Sequence, residues 1–247
     1  MRIDSVGGDL VVRSQSSPVH VTMVKGMADI QTSFNKVVVS GVEADLVIDA
    51  GSCPVQVDHV RGNVRIKSSF NPVKVAYVNG TLDINAGSAG VDVKEVKGRT
   101  MIESSFNPVK AAGIGDDLTI KASSAGVVVD GVQGTLSVTS SFNPVIVKRT
   151  GGSIDIHASS SSVEISEIET IPVDGGIEVV TSFNPITIAL PVHPELTIMP
   201  HSKHGKVVSD FPVILLQDDQ ASISAERKKG KPVVRLVTDG NIKVKKQ

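Results

Sequence analysis

Tryptophan is absent from this chain of 247 residues, which holds one tyrosine, six phenylalanines and a single cysteine, Cys53. One cysteine excludes an internal disulfide framework. No apolar run reaches the roughly 18 residues of a membrane-spanning helix, so no membrane span is expected. Because the net charge is −1, the whole chain has no bias toward nucleic acid. The apolar residues that remain are mainly Val, Ile and Ala, and β-branched side chains favour sheets.

The sequence repeats with a period of 18 residues. One position of the repeat is valine nine times in succession, and a second is occupied by isoleucine or valine. The first column consists of Val19, Val37, Val55, Val73, Val91, Val109, Val127, Val145 and Val163. Fixed periods of this length indicate stacked repeat units that bury a common core.

Spacing within one repeat predicts strands. From Val73 the apolar positions advance in steps of two, the alternation of a β-strand, with two steps of three that we interpret as corners. Asn79-Gly80 is a turn signal. We therefore predict an all-β fold, a single-stranded β-solenoid (β-helix) of 18-residue coils with a C-terminal β cap.

A second period of 36 residues lies over the first. The sequence Ser-Phe-Asn recurs, followed by Pro in four of its five copies. Strand parity places the Phe inward, so we expect it to be a core residue of the corner that alternates with Ser in the intervening coils. The alternative is an exposed row that stacks sugars or a partner, spaced at about 9.6 Å, two coil rises. The proposed corner motif comprises Phe34, Phe70, Phe106, Phe142 and Phe183 with Asn71, Asn107, Asn143 and Asn184.

The regular repeat is interrupted in two places. Five residues are inserted within 169–175, and the period fails after Leu190. We predict solenoid repeats over 1–190, about ten coils, and a C-terminal β capping region over 191–247, because solenoid ends need their strand edges covered. The insertion is a candidate contact loop formed by Glu169, Thr170, Ile171, Pro172, Val173 and Asp174.

The repeat rhythm, together with Gly205–Pro212 and Lys231–Val244, resembles the bacterial adhesin-like β-helix family of uncharacterised repeat domains. That resemblance implies interaction at the cell surface or envelope and supplies no catalytic residues. The chain shows no signal peptide, so the sequence leaves a cytoplasmic location open.

Catalytic and metal-binding patterns are weak. The histidines occupy unrelated coil positions, and His201 and His204 have no third ligand near them in sequence. Acidic residues are scattered, which disfavours the paired carboxylates of a glycosidase. Cys53 aligns with Ala89 and Ala125, as expected of a small packed residue. We expect no catalytic residues, no metal and no cofactor.

These observations predict a structural, non-enzymatic, adhesin-like solenoid that presents a surface to a protein or glycan. Two alternatives remain open. One is a self-assembling filament or scaffold subunit stacking end to end through open strand edges. The other is a polysaccharide-active β-helix enzyme.

Overall fold

The structure is a computed structural model that describes residues 1–192, 196–214 and 231–247. Every regular element in these residues is a β-strand, and the strands form a parallel β-solenoid with coils of about 18 residues, as the sequence predicted. The chain divides into two compact units, residues 1–125 (unit 1) and residues 126–247 (unit 2).

Unit 1 consists of two parallel sheets of seven strands each, ordered as in the chain. The first sheet contains β1 (Arg2–Val6), β3 (Val19–Val24), β5 (Val37–Val42), β7 (Val55–Val60), β9 (Val73–Val78), β11 (Val91–Val96) and β13 (Val109–Ile114). The second contains β2 (Leu10–Ser14), β4 (Ala28–Thr32), β6 (Leu46–Asp49), β8 (Val64–Lys67), β10 (Leu82–Asn85), β12 (Thr100–Ser104) and β14 (Leu118–Ala122).

The period of 18 is the register of these sheets. Val73 lies beside Val91 in the first sheet, and Leu82 lies beside Thr100 in the second. Val73, Leu82 and Ile84 are almost completely buried, at 0 to 1% exposure. Since one coil cannot enclose its own apolar face, each coil completes the core of its neighbour.

Each coil of unit 1 has one left-handed residue inside its first-sheet strand. In β9 it is Tyr77 with φ 55°, and in β11 it is Glu95 with φ 54°. The ladder pairs Lys94 with Ala76 and Val96 with Val78, and passes over the bulged residue on both strands. The step of three between Val75 and Val78 is therefore a bulge within a strand, and its interpretation as a corner was wrong. An extra residue in the strand shifts the side-chain alternation by one.

Unit 2 continues with the same kind of coil. Its described strands are β15 (Val127–Val132), β16 (Leu136–Ser140), β17 (Val145–Thr150), β18 (Ile154–Ala158), β19 (Val163–Ile168), β20 (Ile177–Thr181), β21 (Ile186–Leu190), β22 (Thr197–Ser202), β23 (Val207–Ser209), β24 (Val233–Thr238) and β25 (Ile242–Lys246).

The last coils of unit 2 are not stacked in chain order. β24 pairs with β20 on one side and β22 on the other, while β25 pairs with β21 and β23. Residues 233–246 thus occupy a coil between the coil of β20 and β21 and the coil of β22 and β23. The four strands of the predicted capping region extend the same parallel sheets, and Leu236 and Val234 of β24 are fully buried.

Candidate ligand-binding surfaces

The five phenylalanines of the repeated corner lie outside the core. Their exposed fractions run from 68% for Phe70 and Phe106 to 72% for Phe183. The expectation that they are core residues was wrong, and the alternative of an exposed row is the one the structure shows. We call these side chains the phenylalanine row: Phe34, Phe70 and Phe106 in unit 1, and Phe142 and Phe183 in unit 2.

Strand parity placed Phe106 wrongly because side chains alternate only while the backbone is extended. Strand β12 ends at Ser104, which is buried, and Val109 begins the next buried run. Residues 105–108 between them form a bend in which no side chain is buried. Counting in twos across a bend therefore assigned Phe106 to the wrong side.

The Asn of the corner motif and the buried Ser104 just before the motif, unlike Phe, have a structural role. The buried Ser104 hydroxyl donates to the carbonyl of Ala89, 2.8 Å away in the preceding coil. The Asn107 side chain donates to the carbonyl of Ser88 in that coil, and Asn71 makes the equivalent bond to Ser52 at 2.7 Å. In unit 2, Asn184 bonds the Ser160 carbonyl at 2.6 Å.

The intervening coils turn differently at the same corner. The Ala89 amide donates to the Ala86 carbonyl at 2.7 Å, which closes a tight turn around Gly87 with φ 50°. This turn leads Ala89 into the core, where it is fully buried. Cys53 occupies the same position in the tight turn two coils earlier and is also fully buried. Burial raises the pKa of the Cys53 thiol. The expectation of a small packed cysteine is confirmed.

The two corner types together explain the period of 36. The carbonyls of Ser52 and Ser88 in the tight turns need donors, and the Asn side chain of the next coil supplies them. Ser104 adds a bond of its own hydroxyl, whereas the equivalent buried Ser68 hydroxyl has no partner among the described residues. Phenylalanine takes no part in this exchange and projects from a corner that these bonds fix. Neighbouring Phe side chains of unit 1 are two coils apart, so they recur about every 9.6 Å.

A second surface of unit 1 follows from the bulged residues. Met23, His59, Tyr77 and Glu95 line a groove of about 920 Å³. Its apolar lining includes the buried Val24, Val42, Val60 and Val96. Its polar lining includes Lys25, Glu43, Arg61, Asn79 and Lys97.

Aromatic stacking orders the middle of this groove. The rings of His59 and Tyr77 stack with centroids 4.7 Å apart and an interplanar angle of 25°. His59 Nδ1 lies 2.7 Å from Asp58 Oδ2, a hydrogen bond that restricts rotation of the imidazole ring. The groove was not predicted from the sequence, although the recurring step of three was the signal that could have revealed the bulge.

The predicted contact loop lies on the surface of unit 2. Residues 169–176 connect β19 to β20 without regular structure, where the equivalent turn between β17 and β18 has only residues 151–153. Val173 and Asp174 at its tip are exposed, and Thr170 Oγ1 donates to the Gly151 carbonyl at 2.5 Å. The structure thus places all six candidate residues of Glu169–Asp174 in one protruding loop.

Within the described residues, no three His, Cys, Asp or Glu side chains come close enough together to hold a metal ion. The same residues contain no helix that could cross a membrane. His193 lies outside the described residues, whereas His201 and His204 are described and belong to β22 and the bend after it.

Comparison with known proteins returned no relatives. No family model, no curated protein and no solved structure matches the chain.

Proposed function

We propose that this protein is a non-catalytic binding solenoid that uses the part of the phenylalanine row in unit 1, namely Phe34, Phe70 and Phe106, to hold an extended partner. The observation that carries the proposal is the equal exposure of the five side chains, 68 to 72%, at one position of every second coil. Single exposed apolar residues are common on protein surfaces, but a regular array of large aromatic ones is typical of an interaction site.

The corner chemistry supports this proposal, because it separates stability from recognition. Ser104 and Asn107 stabilise the stacking of the coils through hydrogen bonds to the preceding coil. Phe106, between them, is 68% exposed and buries little surface. A residue that recurs at a corner without serving the core is best explained by contact with something outside the chain.

The resemblance to adhesin-like β-helix domains directs the proposal to the cell envelope, where the partner is a surface protein or glycan. We test it by co-sedimentation with insoluble envelope material that retains both proteins and polysaccharides, taken from several bacteria. A variant with all five Phe of the row changed to Ala should bind about tenfold more weakly or worse, since each aromatic contact contributes about two- to tenfold.

The matched control is Tyr77→Ala, which removes an exposed aromatic residue from the groove and leaves the row intact. Equal binding by the five-Phe variant and the unaltered protein contradicts the proposal. Sedimentation velocity of the two proteins without envelope material examines self-association. If the row instead sets the oligomeric state, the partner is a second copy of this chain.

A further inference from the structure

We infer that the phenylalanine row of unit 1 binds an extended β-1,4-linked polysaccharide, with one aromatic ring against every second sugar. This inference rests on the proposed function and adds the chemical class of the partner. It is carried by the spacing of Phe34, Phe70 and Phe106 and by what lies between them.

The spacing of the row follows from the sheet. Parallel strands stack about 4.8 Å apart, so side chains two coils apart recur about every 9.6 Å and the three rings span about 19 Å. In an extended β-1,4-linked chain each sugar is turned over relative to the one before it. The same ring face therefore recurs at every second sugar, a distance close to two coil rises, about 10 Å.

The chemistry of the contact suits a sugar face. A pyranose ring with equatorial substituents presents a face of C–H groups, and such a face packs on the negative π surface of an aromatic ring. The three Phe of unit 1 are 68 to 69% exposed, so each offers a similar ring area. Their corners are held by the Asn35, Asn71 and Asn107 bonds to the preceding coil, which lowers the entropy lost on binding.

The intervening sugars meet a different surface. Between one Phe and the next lie the tight turns Gly51-Ser52 and Gly87-Ser88, whose residues are small and half-buried. An inverted sugar can approach there without a clash, and its hydroxyl groups come within reach of serine hydroxyls, which both donate and accept. The small residues thus complete the alternation that a β-1,4-linked chain requires.

Peptides in strand conformation fit the row less well. Side chains on one face of an extended strand recur about every 6.8 Å, which falls out of register with the row after one Phe. A polyproline II helix repeats about every 9.3 Å and fits the row in length, so a proline-rich peptide is tested beside the sugars.

The test measures affinity for defined oligosaccharides by isothermal titration calorimetry with the full chain. Probes are β-1,4-linked glucose and N-acetylglucosamine chains of two, four and six sugars. Affinity should rise by about two- to tenfold with each added pair of sugars, because each pair reaches another Phe. Maltohexaose, the α-1,4-linked control, curves away from the row and should bind at least about tenfold more weakly than cellohexaose.

Three variants locate the contact. Phe70→Ala removes the central ring, and should reduce hexasaccharide affinity to near that of the tetrasaccharide while leaving the circular dichroism spectrum and melting temperature unchanged. Phe70→Tyr keeps the ring and should keep the affinity. Tyr77→Ala, outside the row, should bind like the unaltered protein.

Each contrary outcome has a definite meaning. Affinity that does not depend on chain length, on linkage or on Phe70 overturns the glycan inference. If no β-1,4-linked probe binds but row-dependent envelope binding persists and is lost on protease treatment, the partner is a protein and only the proposed function stands. Row-dependent binding of a proline-rich peptide, with none of the sugars, has the same consequence.

Discussion

The regular coils of unit 1 and the closing coils of unit 2 build the same kind of parallel sheet in different chain order. In unit 1 every pairing joins residues 18 apart, as Val73 and Val91 do. In the closing coils β24 lies between β20 and β22, so the Arg235–Glu178 ion pair at 2.7 Å joins residues 57 apart. Any strand with alternating buried and exposed side chains can extend a sheet. The entropy lost on closing the intervening loop is larger in the closing coils, because the paired residues are farther apart in the chain.

The largest effect should come from Leu236→Asp in β24. Leu236 is fully buried, and an unpaired carboxylate there costs several kcal/mol, about enough to unfold the closing coils. Hydrogen exchange should show β22 to β25 unprotected while β9 to β12 of unit 1 stay protected. Leu82→Asp, at an equally buried site of unit 1, is the matched control and should expose the unit 1 strands. Equal loss of protection in both units after Leu236→Asp would mean that the solenoid unfolds as one block.

A smaller effect compares two positions of a single regular coil. Ile102→Ala creates a core cavity and should cost about 2–5 kcal/mol of unfolding free energy. Phe106→Ala, four residues later, should cost less than about 1 kcal/mol because the ring is 68% exposed. Urea denaturation of both variants measures the difference. Similar losses for the two would place Phe106 back among the residues that stabilise the fold.

Gln247 distinguishes the closing coils further. Its side chain accepts from the Ile168 amide at 2.9 Å and donates to the Ile168 carbonyl at 3.4 Å, where β19 leaves its ladder for the inserted loop. Gln247→Ala should cost about 1–2 kcal/mol and speed exchange of the Ile168 amide. Gln247→Glu retains only the hydrogen-bond acceptor, so its unfolding free energy should lie between those of Gln247→Ala and the unaltered protein. An unchanged exchange rate at Ile168 in Gln247→Ala would show that these bonds contribute nothing.

The smallest effect concerns the bulge that the coils share. Glu167 has φ 57°, and a non-glycine residue in this region carries about 1 kcal/mol of strain. Glu167→Gly should therefore raise the free energy of unfolding by about 0.5 kcal/mol. This is the strain relieved minus the cost of the greater conformational entropy of glycine in the unfolded chain. Gly131→Ala, at φ 85° in the same column, should lower it by about 1 kcal/mol. A lower melting temperature for Glu167→Gly together with a higher one for Gly131→Ala would contradict the interpretation of strain.

The sequence predicted the regular part of the fold because one physical rule governs it. Strand alternation and an 18-residue period are enough to assign Val73, Leu82 and Ile84 to the core. The same rule failed at Phe106 and at Tyr77, where a bend and a bulge break the alternation. The step of three marked the position of the break at Tyr77 but not its cause, whereas the bend at Phe106 left no such mark because parity assumes an extended chain.

The order of the closing coils lay beyond the sequence for another reason. The strand at Val233–Thr238 has the composition of a buried strand, and that pattern fits any open edge of the second sheet. Which edge it joins depends on the competition between distant segments. The candidate surfaces were half predicted: the exposed row was the stated alternative, whereas the groove beside Tyr77 required the backbone geometry.

The inserted coil bears on how the chain is made. A ribosome releases Thr197–Ser209 before Val233–Lys246, although the later segment must lie between the earlier one and the coil of β20 and β21. Until that later segment emerges, the edges of β20 and β21 lack their final neighbours, while unit 1 can already stack coil upon coil behind the advancing chain. Vectorial synthesis thus favours the coils of unit 1 and leaves β20 and β21 dependent on strands that are made later.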